Sequence, residues 1–248
     1  MIGSVPVEVF GLVFAIVMAA ALIQSLTGFG FNLVSLPVLS LLIDPRLAVV
    51  TVMLLSSLAT LGTVAQGRRD LEMTRVAPLL AGTLLGIPLG AYLLVVVSPG
   101  WLRLLIGVSV VLGGLPLLFG LSWRSRSDAV VAVPVGFVNG ILASSVGLQG
   151  PLAVLFLVGQ PWRKEALRAT LAAYLFAGQL AAVAAAAIGG LLTPTLIVTN
   201  LALAPALPFG LFLGDVLHAR LHAQLHRSLL AIVVVAAGAT VVVSELAR

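Results

Sequence analysis

The sequence predicts an all-α, polytopic membrane protein made of two inverted repeats of about five segments each, with one short, broken or half-spanning helix in each repeat. Of its 248 residues, 61% are hydrophobic and only 8% are charged. A soluble domain of this size cannot bury so much apolar surface. The charge-free runs, such as 9–43 and 169–214, exceed the roughly 20 apolar residues that cross a bilayer. Soluble enzymes, nucleic-acid-binding proteins and disordered chains are therefore excluded.

The few charged residues lie in short clusters between the apolar runs. The formal net charge is +5, but basic clusters at segment ends are explained by membrane orientation and indicate no nucleic-acid partner. The chain has no cysteine, which excludes a disulfide framework, a thiolate metal site and a cysteine nucleophile. Residues 1–10 contain Glu8 and no Lys or Arg, so they lack the basic region of a cleavable signal and lead into a retained first helix.

Glycine, proline and charged residues divide the first half of the chain into five apolar segments. The first ends before Gly28, the second before Asp44, the third before Arg68, the fourth before Pro99 and the fifth before Arg124. The second is too short to span a bilayer comfortably. The five segments cover residues 8–27, 30–43, 47–65, 76–97 and 102–121.

The same signals place five further segments in the second half. Pro151 opens the second of these, because a proline in the first turn of a helix has no N–H to lose. That segment, the seventh of the chain, is again too short to span comfortably. The five segments cover residues 129–147, 151–160, 166–188, 195–216 and 228–245.

The two halves repeat each other in sequence. At a shift of 124 residues, a glycine pair four apart and an arginine thirteen residues later recur. The aligned residues are Gly86, Leu89, Gly90, Leu93, Arg103, Leu105, Val110, Val111 and Gly114 with Gly210, Leu213, Gly214, Leu217, Arg227, Leu229, Val234, Val235 and Gly238. The earlier parts align less closely, since Pro37 pairs with Pro151 at a shift of 114 and Thr51 with Thr170 at 119.

The charged loops predict that the halves lie antiparallel in the membrane. Basic residues follow the third segment of the first half, whereas the corresponding loop, 189–194, has no charge. The positive-inside rule places in the cytoplasm the loops 66–75, 122–128, 160–168 and 217–227. Both termini are then periplasmic. The domains are a first membrane repeat (1–121), a cytoplasmic linker (122–128) and a second membrane repeat (129–248). Inverted repeats of this kind are common in secondary transporters.

Polar and glycine residues are concentrated where the first and sixth segments end, at equivalent places in the two halves. At each place a shorter helix begins, and its free backbone N–H groups need a partner at membrane depth. A bound anion is a natural partner, because helix N-termini carry a partial positive charge. The predicted substrate-binding residues are Gln24, Thr27, Gly28, Gly30, Asn32, Asn139, Ser144, Ser145, Gly147, Gln149 and Gly150. The alternative is that the glycines only permit close helix packing and the polar side chains bond to neighbouring carbonyls.

Neutral groups are the expected ligands of the anion. No Lys or Arg lies well inside a predicted segment, so a cationic partner would have to come from a segment end. Further hydroxyl or amide donors could come from Ser35, Thr170, Tyr174 and Gln179.

Asp215 is the one carboxylate near an apolar run, and it is a candidate for proton coupling. An ion pair with the basic loop that follows it is the alternative.

His218, His222 and His226 have helical spacing, but without Cys or an acidic cluster no metal site is predicted. The chain has no H-E-x-x-H, G-x-S-x-G or P-loop motif, so no enzymatic activity is predicted.

Four patterns carry a resemblance to a known family. They are the break Thr27-Gly28-Phe29-Gly30 leading to Pro37, the loop Asp44-Pro45-Arg46 with the run to Thr51, the pair Gly86 and Gly90, and a second-half copy from Gly136 to Thr170. In these residues the chain resembles the sulfite exporter TauE/SafE family, also called the toluene-sulfonate uptake permease family. The resemblance implies transport, often export, of sulfite, a sulfonate or a related anion across the bacterial inner membrane. It also implies a substrate site at the Gly28-Gly30-Asn32 and Gly147-Gln149-Pro151 breaks.

The predicted function is a secondary transporter that alternates between two states around a small anionic substrate. Protons or the membrane potential are the expected energy source, and no other cofactor is expected. The expected partners are the anion and the lipid bilayer, and the sequence predicts no oligomeric state. A facilitative anion channel and a membrane assembly subunit without transport of its own are the alternatives.

Overall fold

The computed structural model describes residues 5–119, 129–218 and 223–247, in which the chain forms eleven α-helices. The predicted linker 122–128 lies outside the described residues. The first half contains α1 (Val7–Thr27), α2 (Phe31–Leu42), α3 (Pro45–Gly67), α4 (Met73–Val96) and α5 (Pro99–Phe119). The second half contains α6 (Ala129–Val146), α7 (Gly150–Val158), α8 (Lys164–Ile188), α9 (Pro194–Leu203), α10 (Ala206–His218) and α11 (Ala223–Leu246).

The helices confirm the prediction of an all-α, multi-pass membrane protein. Six helical stretches of the described chain are long and apolar enough to cross a bilayer, among them α9 and α10 taken together. The second and seventh predicted segments are short, as expected: α2 has 12 residues and α7 has 9. At 1.5 Å per residue they extend about 18 and 14 Å, well below the roughly 30 Å of a hydrocarbon core.

The predicted ninth segment, 195–216, is two helices in the structure. α9 ends at Leu203, and α10 begins at Ala206. Pro205 lies between them, and its lack of an N–H removes one hydrogen bond from the helical ladder. The Leu207 N–H instead donates to Ala204 O at 3.0 Å, which makes a tight turn.

Glycines bring two pairs of helices into backbone contact. On α4, a Cβ at Gly86 would lie 2.1 Å from Phe137 O of α6; on α10, a Cβ at Gly210 would lie 2.2 Å from Met18 O of α1. Only glycine permits such approaches, which are typical of packing between membrane helices. The glycine pair that repeats at a shift of 124 residues therefore has the same packing role in each half.

The last helices of the two halves contact each other reciprocally. Gly114 of α5 faces Val234 and Val235 of α11. In return, Gly238 of α11 faces the residues of α5 that align with those valines, Val110 and Val111. Along this contact the residue numbers of one helix rise as those of the other fall, so α5 and α11 run antiparallel.

The third helices of the halves, α3 and α8, also run antiparallel. Ser56 lies opposite Gln179, and Gly67 lies opposite Ala169.

The helix breaks before α2 and α7 are also equivalent in the two halves. Gly28 (φ 79°) and Gly147 (φ 67°), which are 119 residues apart, both have left-handed backbones. The pairing of Pro37 with Pro151 was wrong, since Pro37 lies inside α2 and Pro151 lies in the first turn of α7.

Ion pairs join distant parts of the described chain at two separate places. The α3–α4 and α7–α8 loops contact each other, with Arg163 Nη2 2.9 Å from Asp70 Oδ1. Their contact agrees with the prediction that 66–75 and 160–168 lie on one side of the membrane. Elsewhere, Arg103 of α5 pairs with Glu245 of α11 at 3.8 Å. Which side is cytoplasmic stays a prediction.

Candidate functional site

Each half contains a helix break formed by glycines with left-handed backbones. Gly28 ends α1, with its N–H donating to Gln24 O at 2.7 Å, and Gly30 (φ 111°) precedes α2. In the second half, Gly147 ends α6, and the Leu148 N–H donates to Leu142 O at 3.1 Å. A side chain is strained at these φ values, which accounts for the glycines at both turns.

The two breaks meet in the structure. Asn32 in the first turn of α2 donates through Nδ2 to Gly147 O, which joins the first half to the second. Between the breaks lies a cavity of about 40 Å³. It is lined by Gln24, Phe29, Gly30, Asn32, Leu33, Ser56, Thr60, Leu148, Gln149, Gly150, Pro151, Leu175 and Gln179.

The cavity receives the N-terminal ends of both short helices. Neither N-cap residue, Gly30 for α2 or Gln149 for α7, makes a side-chain hydrogen bond to the first turn of its helix. First-turn N–H groups have no partner within their own helix. None of the lining residues is charged. The site therefore combines two helix N-termini with neutral polar side chains, an arrangement suited to a small anion.

Two glutamine–hydroxyl pairs join α3 to the helices around the cavity. Gln24 Nε2 of α1 donates to Thr60 Oγ1 at 2.7 Å, and Gln179 Nε2 of α8 donates to Ser56 Oγ at 2.7 Å. The two hydroxyls in turn donate to main-chain oxygens of α3, Thr60 to Ser56 O and Ser56 to Met53 O. Because each hydroxyl has only one proton, it must accept from its glutamine, which fixes the orientation of both amides.

Some predicted site residues line the cavity and others do not. Those that line it are Gln24, Gly30, Asn32, Gln149 and Gly150. Gly28 and Gly147 form the two turns next to it. The Thr27 hydroxyl bonds to main-chain oxygens around the first break, Ile23 O at 2.9 Å and Phe29 O.

The polar residues of α6 bond to neighbouring helices or to α6 itself instead. Ser144 donates to Ile87 O of α4 at 2.8 Å, and Ser145 donates to Ile141 O of its own helix at 2.6 Å. Asn139 Nδ2 donates to the hydroxyl of Tyr174 at 2.6 Å, and that hydroxyl lies 2.7 Å from Thr83 Oγ1. The serine contacts correspond to the alternative in which polar side chains bond to neighbouring carbonyls, and the asparagine contact joins α6 to α8.

The four additional donors proposed from the sequence are also divided. Gln179 lines the cavity, whereas Tyr174 belongs to the buried network with Asn139. Ser35 donates to Phe31 O at 2.7 Å. Thr170 accepts from the Glu72 N–H at 2.9 Å.

Asp215 lies on α10 and is not part of the cavity. Its Oδ1 accepts a hydrogen bond from Ser25 Oγ in the last turn of α1. Ser25 directly follows Gln24, so the carboxylate is joined to the helix that supplies one wall of the cavity. The basic loop predicted to pair with Asp215 lies largely outside the described residues, as do the side chains of the histidines near it.

A second cavity adjoins the first but is apolar. It measures about 180 Å³, lies between α5, α6 and α7, and has Ser109 as its only polar side chain. An anion needs hydrogen-bond donors when it leaves water. The smaller, polar cavity is therefore the candidate site despite its size.

Sequence reasoning missed the contribution of α3. Ser56 and Thr60 were not singled out, although both line the cavity and orient its glutamines. A signal was present, because Thr60 and Gln179 are related by the same shift of 119 residues as Thr51 and Thr170.

The fold and its paired breaks define a multi-pass, all-helical membrane protein in which the two halves share a polar cavity. The family model "Sulfite exporter TauE/SafE" matches residues 13–241, nearly the whole chain. The protein belongs to the TauE/SafE family and is thus a membrane transporter of the sulfite and sulfonate exporter type. No curated protein and no solved structure matches the chain.

Proposed function

We propose that the protein is a secondary transporter that exports a small organosulfur oxyanion, such as sulfite or a sulfonate, by alternating access. The observation that carries the proposal is the convergence of two helix breaks, one from each half, on a single uncharged polar cavity. Such a site binds an anion through backbone and amide donors, without a fixed counter-ion that would hold it too tightly for release.

The size of the cavity supports a small substrate. A water molecule needs roughly 10–15 Å³ of comparable space, so a cavity of about 40 Å³ holds about three or four non-hydrogen atoms. Sulfite consists of one sulfur and three oxygen atoms. The cavity therefore favours an ion of this size over a sulfonate with a large organic group.

Alternating access follows from the relation between the halves. We interpret the halves as inverted repeats, because the equivalent pairs α3–α8 and α5–α11 each run antiparallel. When two inverted halves exchange conformations, a site between them opens to one side and then to the other. In this proposal the halves rock about the cavity, which lies near the midplane of the bacterial inner membrane, with both termini periplasmic.

Asp215 provides a route for proton coupling. Protonation of its carboxylate would change its hydrogen bond to Ser25, and Ser25 is adjacent to Gln24 in the cavity wall. A proton at Asp215 can therefore influence the cavity through the last turn of α1. The membrane potential would supply additional driving force, because an expelled anion moves down it.

Purified protein in liposomes tests this proposal. Labelled sulfite trapped inside should exchange with unlabelled sulfite added outside, and the exchange should be accelerated by the outside substrate. Trans-stimulation of this kind belongs to a carrier, whereas a channel shows flux without it. If neither sulfite nor methanesulfonate moves or binds, the proposed function is wrong.

A further inference from the structure

Gly178 of α8 lies directly against the side chain of Gln149. A Cβ at position 178 would lie 1.9 Å from Gln149 Nε2 and 2.8 Å from Gln149 Cδ, too close for any real side chain. Gly178 and Gln149 are both buried, with Gln149 only 3% exposed. The missing side chain of Gly178 thus leaves a space on α8 that the Gln149 amide occupies, which we call the 178 notch.

The Gln149 amide is held less firmly than the other glutamine amides of the cavity. Its Nε2 donates to Tyr174 O at 3.4 Å, and its Oε1 is buried without a hydrogen-bond partner. By contrast, Gln24 and Gln179 each donate to a hydroxyl of α3 at 2.7 Å. The amide is therefore kept against α8 by the shape of the space beside Gly178 rather than by strong hydrogen bonds.

We propose that Gly178 is a specificity-determining residue of the transporter, because the 178 notch seats the Gln149 amide against α8 and keeps the cavity open for the anion. This inference rests on the proposed function. It assigns a role in substrate selection to a residue that does not itself line the cavity.

The 178 notch predicts which anions lose the most binding affinity when a side chain fills it. With alanine at 178, the new methyl group occupies the place of the amide, and Gln149 must turn away from α8. Because Gln149 forms part of the cavity wall, the amide then takes space from a cavity of only about 40 Å³. A large anion should lose more affinity than a small one.

The test is a double-mutant cycle with Gly178→Ala, Gln149→Ala and the two combined. Binding of sulfite and of the slightly larger methanesulfonate is measured by calorimetry on purified protein. Gly178→Ala should weaken sulfite binding about tenfold and methanesulfonate binding more. The combined variant should bind like Gln149→Ala alone, because the amide that clashed is gone. Gly62→Ala is the matched control, since a Cβ at Gly62 meets nothing within 4 Å.

Each outcome decides the proposal. It is overturned if Gly178→Ala costs the same factor with and without Gln149, or if it changes both anions equally, as a general loss of structure would. If Gly178→Ala fails to fold, a combined variant that folds and binds sulfite supports the notch, and one that also fails to fold overturns it. If the wild-type protein binds neither anion, the proposed function fails and the role of Gly178 in selection fails with it.

Discussion

Replacing Gln24 by glutamate places a negative charge in the cavity wall with almost no change in shape. The side chain is only 7% exposed, and it contacts Thr60 Oγ1 at 2.7 Å. The Thr60 hydroxyl can rotate to donate to the new carboxylate, so the contact with α3 is retained. For two unit charges about 5 Å apart at an effective dielectric constant of about 20, the repulsion is about 3 kcal/mol. Anion affinity should therefore fall by about a hundredfold or more at pH 8.

Sulfite binding to the purified variant, measured by calorimetry at pH 8, checks this prediction. Gln160→Glu is the matched control, because Gln160 is also a buried glutamine but lies beyond the far end of α7. At about 15 Å from the cavity its charge should cost only about 1 kcal/mol, and less where water screens it. The thermal unfolding of both variants is recorded to separate binding from folding.

Two results would refute the reasoning. One is wild-type affinity in a folded Gln24→Glu variant, which would mean that no anion binds beside Gln24. The other is an equal loss in both variants, which would mean that the anion responds to charge in general rather than to this cavity.

Three further predictions follow from other parts of the structure. Asp215→Asn should lose pH-driven uptake in liposomes while retaining sulfite binding; normal pH-driven uptake would remove Asp215 from the coupling route. Arg163→Ala removes the exposed ion pair with Asp70, so the melting temperature should hardly change. A large fall in the melting temperature would contradict this expectation. Gly86→Ala should destabilise the protein by about 1–3 kcal/mol in chemical unfolding, because its Cβ would meet the α6 backbone. Gly62→Ala, whose Cβ meets nothing within 4 Å, should not. Equal stability of the two variants would contradict the packing of α4 on α6.

The pattern of glycines and polar residues was enough to predict the two helix breaks. Gly28, Gly30 and Gly147 have left-handed backbones, which strongly favour glycine, so such turns are visible in a sequence. The helices were also predicted from the sequence, because a single long apolar run in a bilayer can satisfy its own backbone hydrogen bonds only as a helix. The repeat of Gly86 and Gly90 was visible in the sequence, but its packing role was not predicted; in the structure both glycines contact the backbone of α6.

The parts that the sequence did not predict depend on which way side chains face. Ser144 and Asn139 look like site residues, but they join helices. Conversely, Ser56 and Thr60 look like ordinary helix residues, because serine and threonine can bond to their own helix anywhere along it. Only the position of α3 between α1 and α8 turns these two hydroxyls into partners of the cavity glutamines.

The most direct test of the account is a crystal structure of the protein with selenite, whose selenium atom can be located by anomalous scattering. The account predicts one strong peak in the cavity, with selenite oxygens about 3 Å from first-turn N–H groups of both α2 and α7. A peak at an arginine on a segment end, such as Arg103, with the cavity empty, would contradict it.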